Sequence, residues 1–198
     1  MPKHQEYIPF LKKILDKYSS VSTESIQKLL NVSEVVSFDK EIEILRVGEV
    51  SKYNYFLIKG AVISCYLNKE GKLYHKNIFL ENSNVGSKVS ALTQSPSNFS
   101  LETIEPSTLL KIHYKEYKEI IDQNLDLKNF YLSYLETHWV IDKEKREIDI
   151  VLKDASDRYL EYIDQNPGIE KRIPLRYIAS FLGITPTQLS RIRKKVHK

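Results

Sequence analysis

Near the end of the chain, Thr187, Ser190, Arg191 and Lys194 recur at spacings that share one helical face, with Gln188 beside them. Hydroxyl, amide and guanidinium groups in that arrangement can meet the edges of nucleic-acid bases. The neighbouring cations Arg193, Lys194 and Lys195 can hold phosphates. The other face carries Leu189, Ile192 and Val196, which need an apolar partner. No acidic residue interrupts this segment.

The element that must position this face lies just before it. Leu175, Ile178, Ala179 and Leu182 fall at helical spacing and make one apolar face. Pro174 suits the first turn, where a missing N–H costs nothing. Gly183 supplies a sharp turn. Thr185-Pro186-Thr187-Gln188 reads as a capping box, in which Thr185 accepts from backbone N–H groups and Gln188 reaches back. Two short helices joined in this way form a helix-turn-helix whose second helix fits the DNA major groove. Thr185, Thr187, Gln188, Ser190, Arg191, Arg193, Lys194 and Lys195 are therefore the expected DNA-binding residues. An ordinary helical hairpin with a basic tail is the bland alternative. It requires neither the cap directly after the turn nor a second helix free of acidic residues.

Charge follows the same division. The net charge is +4, but from Lys153 onward ten Lys and Arg oppose five Asp and Glu, giving +5 and leaving −1 on the preceding 152 residues. That footprint suits phosphate contact, although a charge run alone describes only a solvated face. Hydrophobic residues at 41% and charged residues at 28% place the 198-residue chain among soluble globular proteins of one or two domains. The single cysteine, Cys65, excludes a disulfide framework and a cysteine-built metal or iron–sulfur site within one chain. It also suits a reducing, cytoplasmic setting, and Cys65 itself reads as a packing residue. No secretion signal or membrane-length apolar run is evident, so no membrane partner is expected.

Catalytic patterns are missing: there is no phosphate-binding loop, nucleophile elbow or zinc-protease motif. Asp142, Glu144 and Glu147 alternate with Lys143, Lys145 and Arg146 as on a solvated helix. The chain is expected not to be an enzyme and to need no cofactor or metal. His75 and His113 fit structural positions better than haem ligation.

Upstream, residues 5–31 read as two packing helices. One carries Tyr7, Phe10, Leu11, Ile14 and Leu15, the other Ile26, Leu29 and Leu30. From about Val35 to Ile112 short β-like runs alternate with turns, including a polar turn from Asn68 to Lys72, and suggest a sandwich or roll. Helical pattern resumes near Tyr114. Leu127, Tyr134, Ile141 and Ile148 recur every seven residues, and Tyr131, His138, Lys145 and Leu152 follow each by four. This predicts a heptad seam of about 39 Å that could join two subunits. Packing of the helix on its own domain is the competing reading, favoured by the polar His138 and Lys145. A further helix runs to Asn166-Pro167-Gly168, which breaks it.

With its elements in this order, the chain resembles the Crp/Fnr family of transcription regulators over nearly its full length. Ile173 to Lys195 carries the resemblance most specifically, followed by Phe79 to Gly86, Leu92 to Ser97 and Leu101 to Glu105. The resemblance implies an α+β fold: an N-terminal double-stranded β-roll of the cyclic-nucleotide-binding, jelly-roll type (1–118), a dimerisation helix (119–152) and a helix-turn-helix domain (153–198). It implies a homodimer, double-stranded DNA and RNA polymerase as partners, and control by a small-molecule effector. Arg191 matches the family's recurrent recognition arginine. Pro186 and Thr187 stand where cAMP-responsive members carry Arg and Glu, so the operator should differ. The connection from Asn166 to Ile173 is short, so the family's β-wing should be reduced or absent.

The effector cassette departs further. At the family's pocket positions stand Gly86, Ser87, Lys88, Ser97 and Asn98. Ser87 replaces the ribose-binding glutamate, and Ser97-Asn98 replace the arginine pair for the cyclic phosphate. Without a guanidinium the bidentate phosphate bonds are lost, and Lys88 is no equivalent. The chain should not bind cAMP in the standard way, and its effector, if any, is unknown. A signalling or interaction module built on the same roll, without DNA binding, is the alternative function.

Overall fold

In the computed structural model, residues 2–68 and 73–196 are described; Lys69 to Lys72, most of the expected polar turn, lie outside the described residues. A short 3₁₀ turn leads into α1 (Ile8–Leu15) and α2 (Thr23–Asn31). The strands come next: β1 (Ser33–Phe38), β2 (Glu43–Leu45), β3 (Tyr53–Lys59), β4 (Val62–Leu67), β5 (Leu73–Phe79) and β6 (Asn84–Val85). After helix α3 (Lys88–Thr93) come β7 (Ser100–Thr103) and β8 (Ser107–His113). The short β6 and α3 carry no periodicity long enough to read from sequence.

The strands form two four-stranded antiparallel sheets, ordered β1-β8-β3-β6 and β2-β7-β4-β5. Their facing sides enclose Leu45, Tyr55, Leu57, Val62, Val85, Leu101 and Leu109. This is the expected roll. Both sheets are covered on their outer sides too. On the first, Phe56, Leu110 and Ile112 pack against Leu11, Leu15, Ile26, Leu29 and Leu30 of the N-terminal helices. On the second, Ile63 and Cys65 pack against the C-terminal helices. Burial of each such Leu, Ile or Phe contributes about 1.5–3 kcal/mol. Alternate residues of β3 and β4 thus face two different cores, which explains their unbroken apolar runs.

Helices α4 (Tyr114–Gln123) and α5 (Leu125–Leu135) return over the first sheet, burying Tyr117, Ile121, Leu127 and Phe130. A π-helical turn, Glu136–Ile141, then interrupts the helix before α6 (Asp142–Leu152). The Thr137 hydroxyl bonds back to Ser133 O at 2.8 Å, and the Asp142 N–H reaches Thr137 O. His138 is drawn to Tyr18 Oη (2.7 Å) and Asp142 (2.7 Å). One extra residue in a turn rotates the downstream helix face by about 100°.

The eight expected seam residues do not all lie on one free face. Leu127 is fully buried in its own core, and Tyr131 and Tyr134 pack beside it. His138 bonds Tyr18, and Lys145 pairs with Glu161 at 2.6 Å. Only Ile141, Ile148 and Leu152 remain as exposed apolar seam positions, joined by Val140 and Val151. Among the described residues no helix is long and apolar enough to cross a membrane.

Candidate nucleic-acid interface

The C-terminal region comprises α7 (Ala155–Gln165), α8 (Ile169–Arg172), α9 (Leu175–Phe181) and α10 (Pro186–Val196). Asp154 caps α7 through the N–H groups of Ser156 (2.7 Å) and Asp157 (3.0 Å). Asn166 is the C-cap of α7, and Gly168, left-handed at φ 80°, is the N-cap of the short α8, where the family's wing would stand. Pro174 sits at the N-cap of α9, one residue before the first turn.

The turn between α9 and α10 is a Schellman motif. Gly183 is left-handed (φ 72°), its N–H reaches Ser180 O at 3.1 Å, and Ile184 N–H reaches Ala179 O at 3.0 Å. The capping box then forms as expected: Thr185 N–H donates to Gln188 Oε1 (2.8 Å), and Gln188 N–H donates to Thr185 Oγ1 (3.1 Å). Leu189 and Ile192 turn inward onto Ile178 and Ala179. Outward and exposed stand Thr185, Thr187, Gln188, Ser190, Arg191, Lys194 and Lys195.

Three of the expected DNA-binding residues have other work: Thr185 accepts within the cap through its hydroxyl. Gln188 spends its carbonyl oxygen on the cap, leaving only its amide nitrogen to donate. Arg193 is half-buried and ion-paired with Glu170 (2.7 Å), whose carboxylate also receives the Tyr159 hydroxyl at 2.5 Å. Arg193 falls on the side of α10 next to the apolar seam, so its long side chain pairs with the half-buried Glu170 carboxylate instead of projecting outward. Arg191, by contrast, stands over an open cleft of about 290 Å³, lined by Asp154, Ala155, Ser156, Gln188 and Ile192.

The expected effector residues fall into two groups, Ser87 with Ser97, and Lys88 beside Gly86, where a Cβ would lie 3.7 Å from its ammonium. Ser87 and Ser97 are buried with their hydroxyls 3.0 Å apart, and Ser97 also reaches Phe99 O at 2.8 Å. Asn98 is exposed. Lys88 turns the opposite way, bonding the side-chain oxygens of Asn54 and Asn84 (2.6 Å for Asn84). Both partners are neutral, and burial pulls its ammonium down to about 7. Ser87 is the N-cap of α3 and Lys88 its first residue, and the two side chains take different partners. Cys65 is buried, and burial pushes its thiol up to about 12.

Sequence reasoning did not find the residues that hold this C-terminal helical unit, the reader, on the roll. The Arg172 guanidinium donates to Glu105 (2.8–3.0 Å), to Glu81 (2.6 and 2.8 Å) and to the carbonyl of Gly60 (2.8 Å). Gly60 N–H completes the set by donating to Glu81 at 2.9 Å. Burial pushes the Glu81 carboxyl up, but the bonds from Arg172 and from backbone N–H groups outweigh it and leave it below its usual range. Beside this clamp, the His75 ring of β5 packs edge-on to Tyr177 (5.0 Å between rings), and the His75 backbone N–H donates to Ser180 Oγ at 3.1 Å. Gly60 is left-handed (φ 101°), and a Cβ there would collide with Ser107. The Lys59-Gly60 turn was legible as a turn, but its role as an acceptor was not.

A β-roll, a return helix and a helix-turn-helix in this order make the fold of Crp/Fnr-type regulators. The solved structures agree. The c-di-GMP-responsive global regulator CLP of Xanthomonas campestris superposes with a TM-score of 0.68 at 15% identity, over 89% of this chain and 92% of its own. The sensor domain of the transcriptional regulator DNR from Pseudomonas aeruginosa gives 0.58 at 26% identity, over 70% and 93%. The catabolite activator protein of Thermus thermophilus gives 0.58 at 16%, over 93% and 86%. No protein-family model and no curated protein sequence matches the chain.

Proposed function

We propose that this protein is a homodimeric, sequence-specific DNA-binding transcription regulator of the Crp/Fnr type, with α10 as its recognition helix. The observation that carries the reading is the two-sidedness of α10. Leu189 and Ile192 are buried, while Thr187, Ser190, Arg191, Lys194 and Lys195 are exposed with no acidic residue on the helix. Arg191 is assigned to a guanine edge, Thr187 and Ser190 to neighbouring bases, and Lys194 and Lys195 to phosphates. Thr185 and Gln188 position the helix through the cap. Arg193 acts inside the reader.

The dimer contact is the exposed stripe Val140, Ile141, Ile148, Val151 and Leu152, which is shorter than the sequence period implies. A two-fold pair of readers matches half-sites about one helical turn apart. The closed Ser87–Ser97 contact and the inward Lys88 favour a regulator that does not take cAMP in the standard mode. RNA polymerase is the expected partner once DNA is bound, and the cytoplasm the expected setting.

Selection of bound DNA fragments by the purified protein, at fixed moderate salt and without ligand, tests this. Enrichment of a two-fold symmetric site is the expected result. Absence of any enriched sequence, with or without cyclic nucleotides, would leave the roll as an interaction module and defeat the proposal. Saturable, tight cAMP binding would defeat its second part.

A further inference from the structure

The reader meets its roll in two ways. The first is apolar: Ile63, Cys65 and Ile104 of the roll pack against Ile169, Ile173 and Ile178. Apolar contact is attractive but weakly directional, so it holds two bodies together without fixing their angle. The second is the Arg172 guanidinium, which is directional. Its planar fork engages two carboxylates from different turns, Glu81 after β5 and Glu105 before β8, plus a backbone carbonyl from a third turn at Gly60. Three anchors fix a plane. Arg172 also ends α8, two residues ahead of Pro174, so its placement sets where α9 and then α10 begin.

From this geometry we infer that Arg172 is a positioning residue for DNA recognition: clamped by Glu81, Glu105 and Gly60, it fixes the angle of the reader on its own roll. The inference rests on the DNA-binding reading above. In a dimer, two readers must present their recognition helices at one fixed separation and angle. Freedom of each reader on its roll would reduce the fraction of molecules ready for both half-sites, and the apparent affinity with it. The recognition face is exposed while the clamp is closed, so the clamp leaves α10 free to meet DNA. A single half-site asks for one reader only and makes no such demand.

The test pairs a distance with an affinity. Spin labels placed through Glu116→Cys on α4 and Asp164→Cys on α7, both exposed, read the roll-to-reader distance; Cys65 is buried and should stay unlabelled. A narrow distribution is expected with Arg172 intact, and a broad one in Arg172→Ala and in Glu81→Gln/Glu105→Gln. The double variant keeps the arginine and guards against misfolding of the first. Arg172→Lys should fall between, since it retains charge but not the fork. Affinity for the selected two-half-site DNA should drop roughly 5–150-fold in the clamp variants, the usual range of interdomain coupling, with half-site affinity unchanged. Unchanged distances in both clamp variants would overturn the inference. So would a rise in full-site affinity, or an equal loss on half-site and full site. Should the wild-type protein select no DNA, the DNA-binding reading fails and Arg172's role in recognition falls with it. A broadened distance would then describe a structural clamp alone.

Discussion

The roll's two sheets differ in what covers them. The first is closed by its own N-terminal helices and by α4 and α5, through Leu11, Leu15, Phe56, Leu110, Tyr117 and Phe130. Polar contacts tie the N-terminal helices to the return helices: Asp126 takes the N–H of Ser22 and the hydroxyl of Ser25, both at 2.9 Å. The second sheet is covered by the reader, through a core of β-branched and small residues edged by a charged clamp. The first cover is part of the roll; the second is a separate helical unit docked onto it. The same strand chemistry therefore serves folding on one side and orientation on the other.

Substitutions can separate the two covers. Phe56→Ala should cost about 3–5 kcal/mol and destabilise the whole roll, read by denaturant titration. Ile178→Ala, in the reader's core, should cost about 2–5 kcal/mol but lower only the transition of the C-terminal helices, leaving roll amides protected in hydrogen exchange. Equal loss of protection in both regions would erase the distinction. Arg172→Ala should cost less, roughly 1–3 kcal/mol. Its partly exposed position discounts the 3–5 kcal/mol of a fully buried pair.

Two pH effects sharpen the contrast further. Under the first cover, the Lys88 ammonium, enclosed against Asn54 and Asn84, has a folded-state pKa of about 7, below its ordinary 10.5. The unfolded chain binds the proton more tightly, so stability should rise as pH climbs from about 7 towards 10.5 and be flat below 7. Lys88→Met should remove that slope. Under the second cover, burial and then Arg176 lower the His75 pKa from 6.5, and both ring nitrogens are buried without a hydrogen-bond partner. Protonation favours the undocked state, so docking should weaken as pH falls below 6.5 towards the lowered value, an effect His75→Phe should abolish. This is the smallest effect, and interdomain distance at about pH 7.5 and about pH 5.5, on either side of the ordinary histidine range, reads it.

The reader was legible in sequence because its signals are local. Pro174, Gly183, the Thr185–Gln188 box and the inward Leu189 and Ile192 all act within a few residues. The roll was legible as a class through its short apolar runs, although β6 and α3 were too short to register. In the heptad segment, spacing alone cannot reveal the π turn after Leu135 or the partners that Leu127 and Tyr134 find in their own roll. The clamp was invisible because Gly60, Glu81, Glu105 and Arg172 are brought together only by the fold. One clue did lie in the sequence. Ala61-Val62-Ile63-Ser64-Cys65 is apolar on both strand faces, which already calls for a second cover.

Recognition of DNA by α10 through Arg191 is the central claim, and binding of the selected site at one fixed salt concentration tests it most directly. Wild type and Arg191→Ala are compared on that site and on a variant with the contacted base pair changed. The expected result is a loss of about 1–3 kcal/mol for Arg191→Ala on the selected site, with discrimination between the two sites gone. Equal affinity of wild type and Arg191→Ala for the selected site, with discrimination intact, would contradict it.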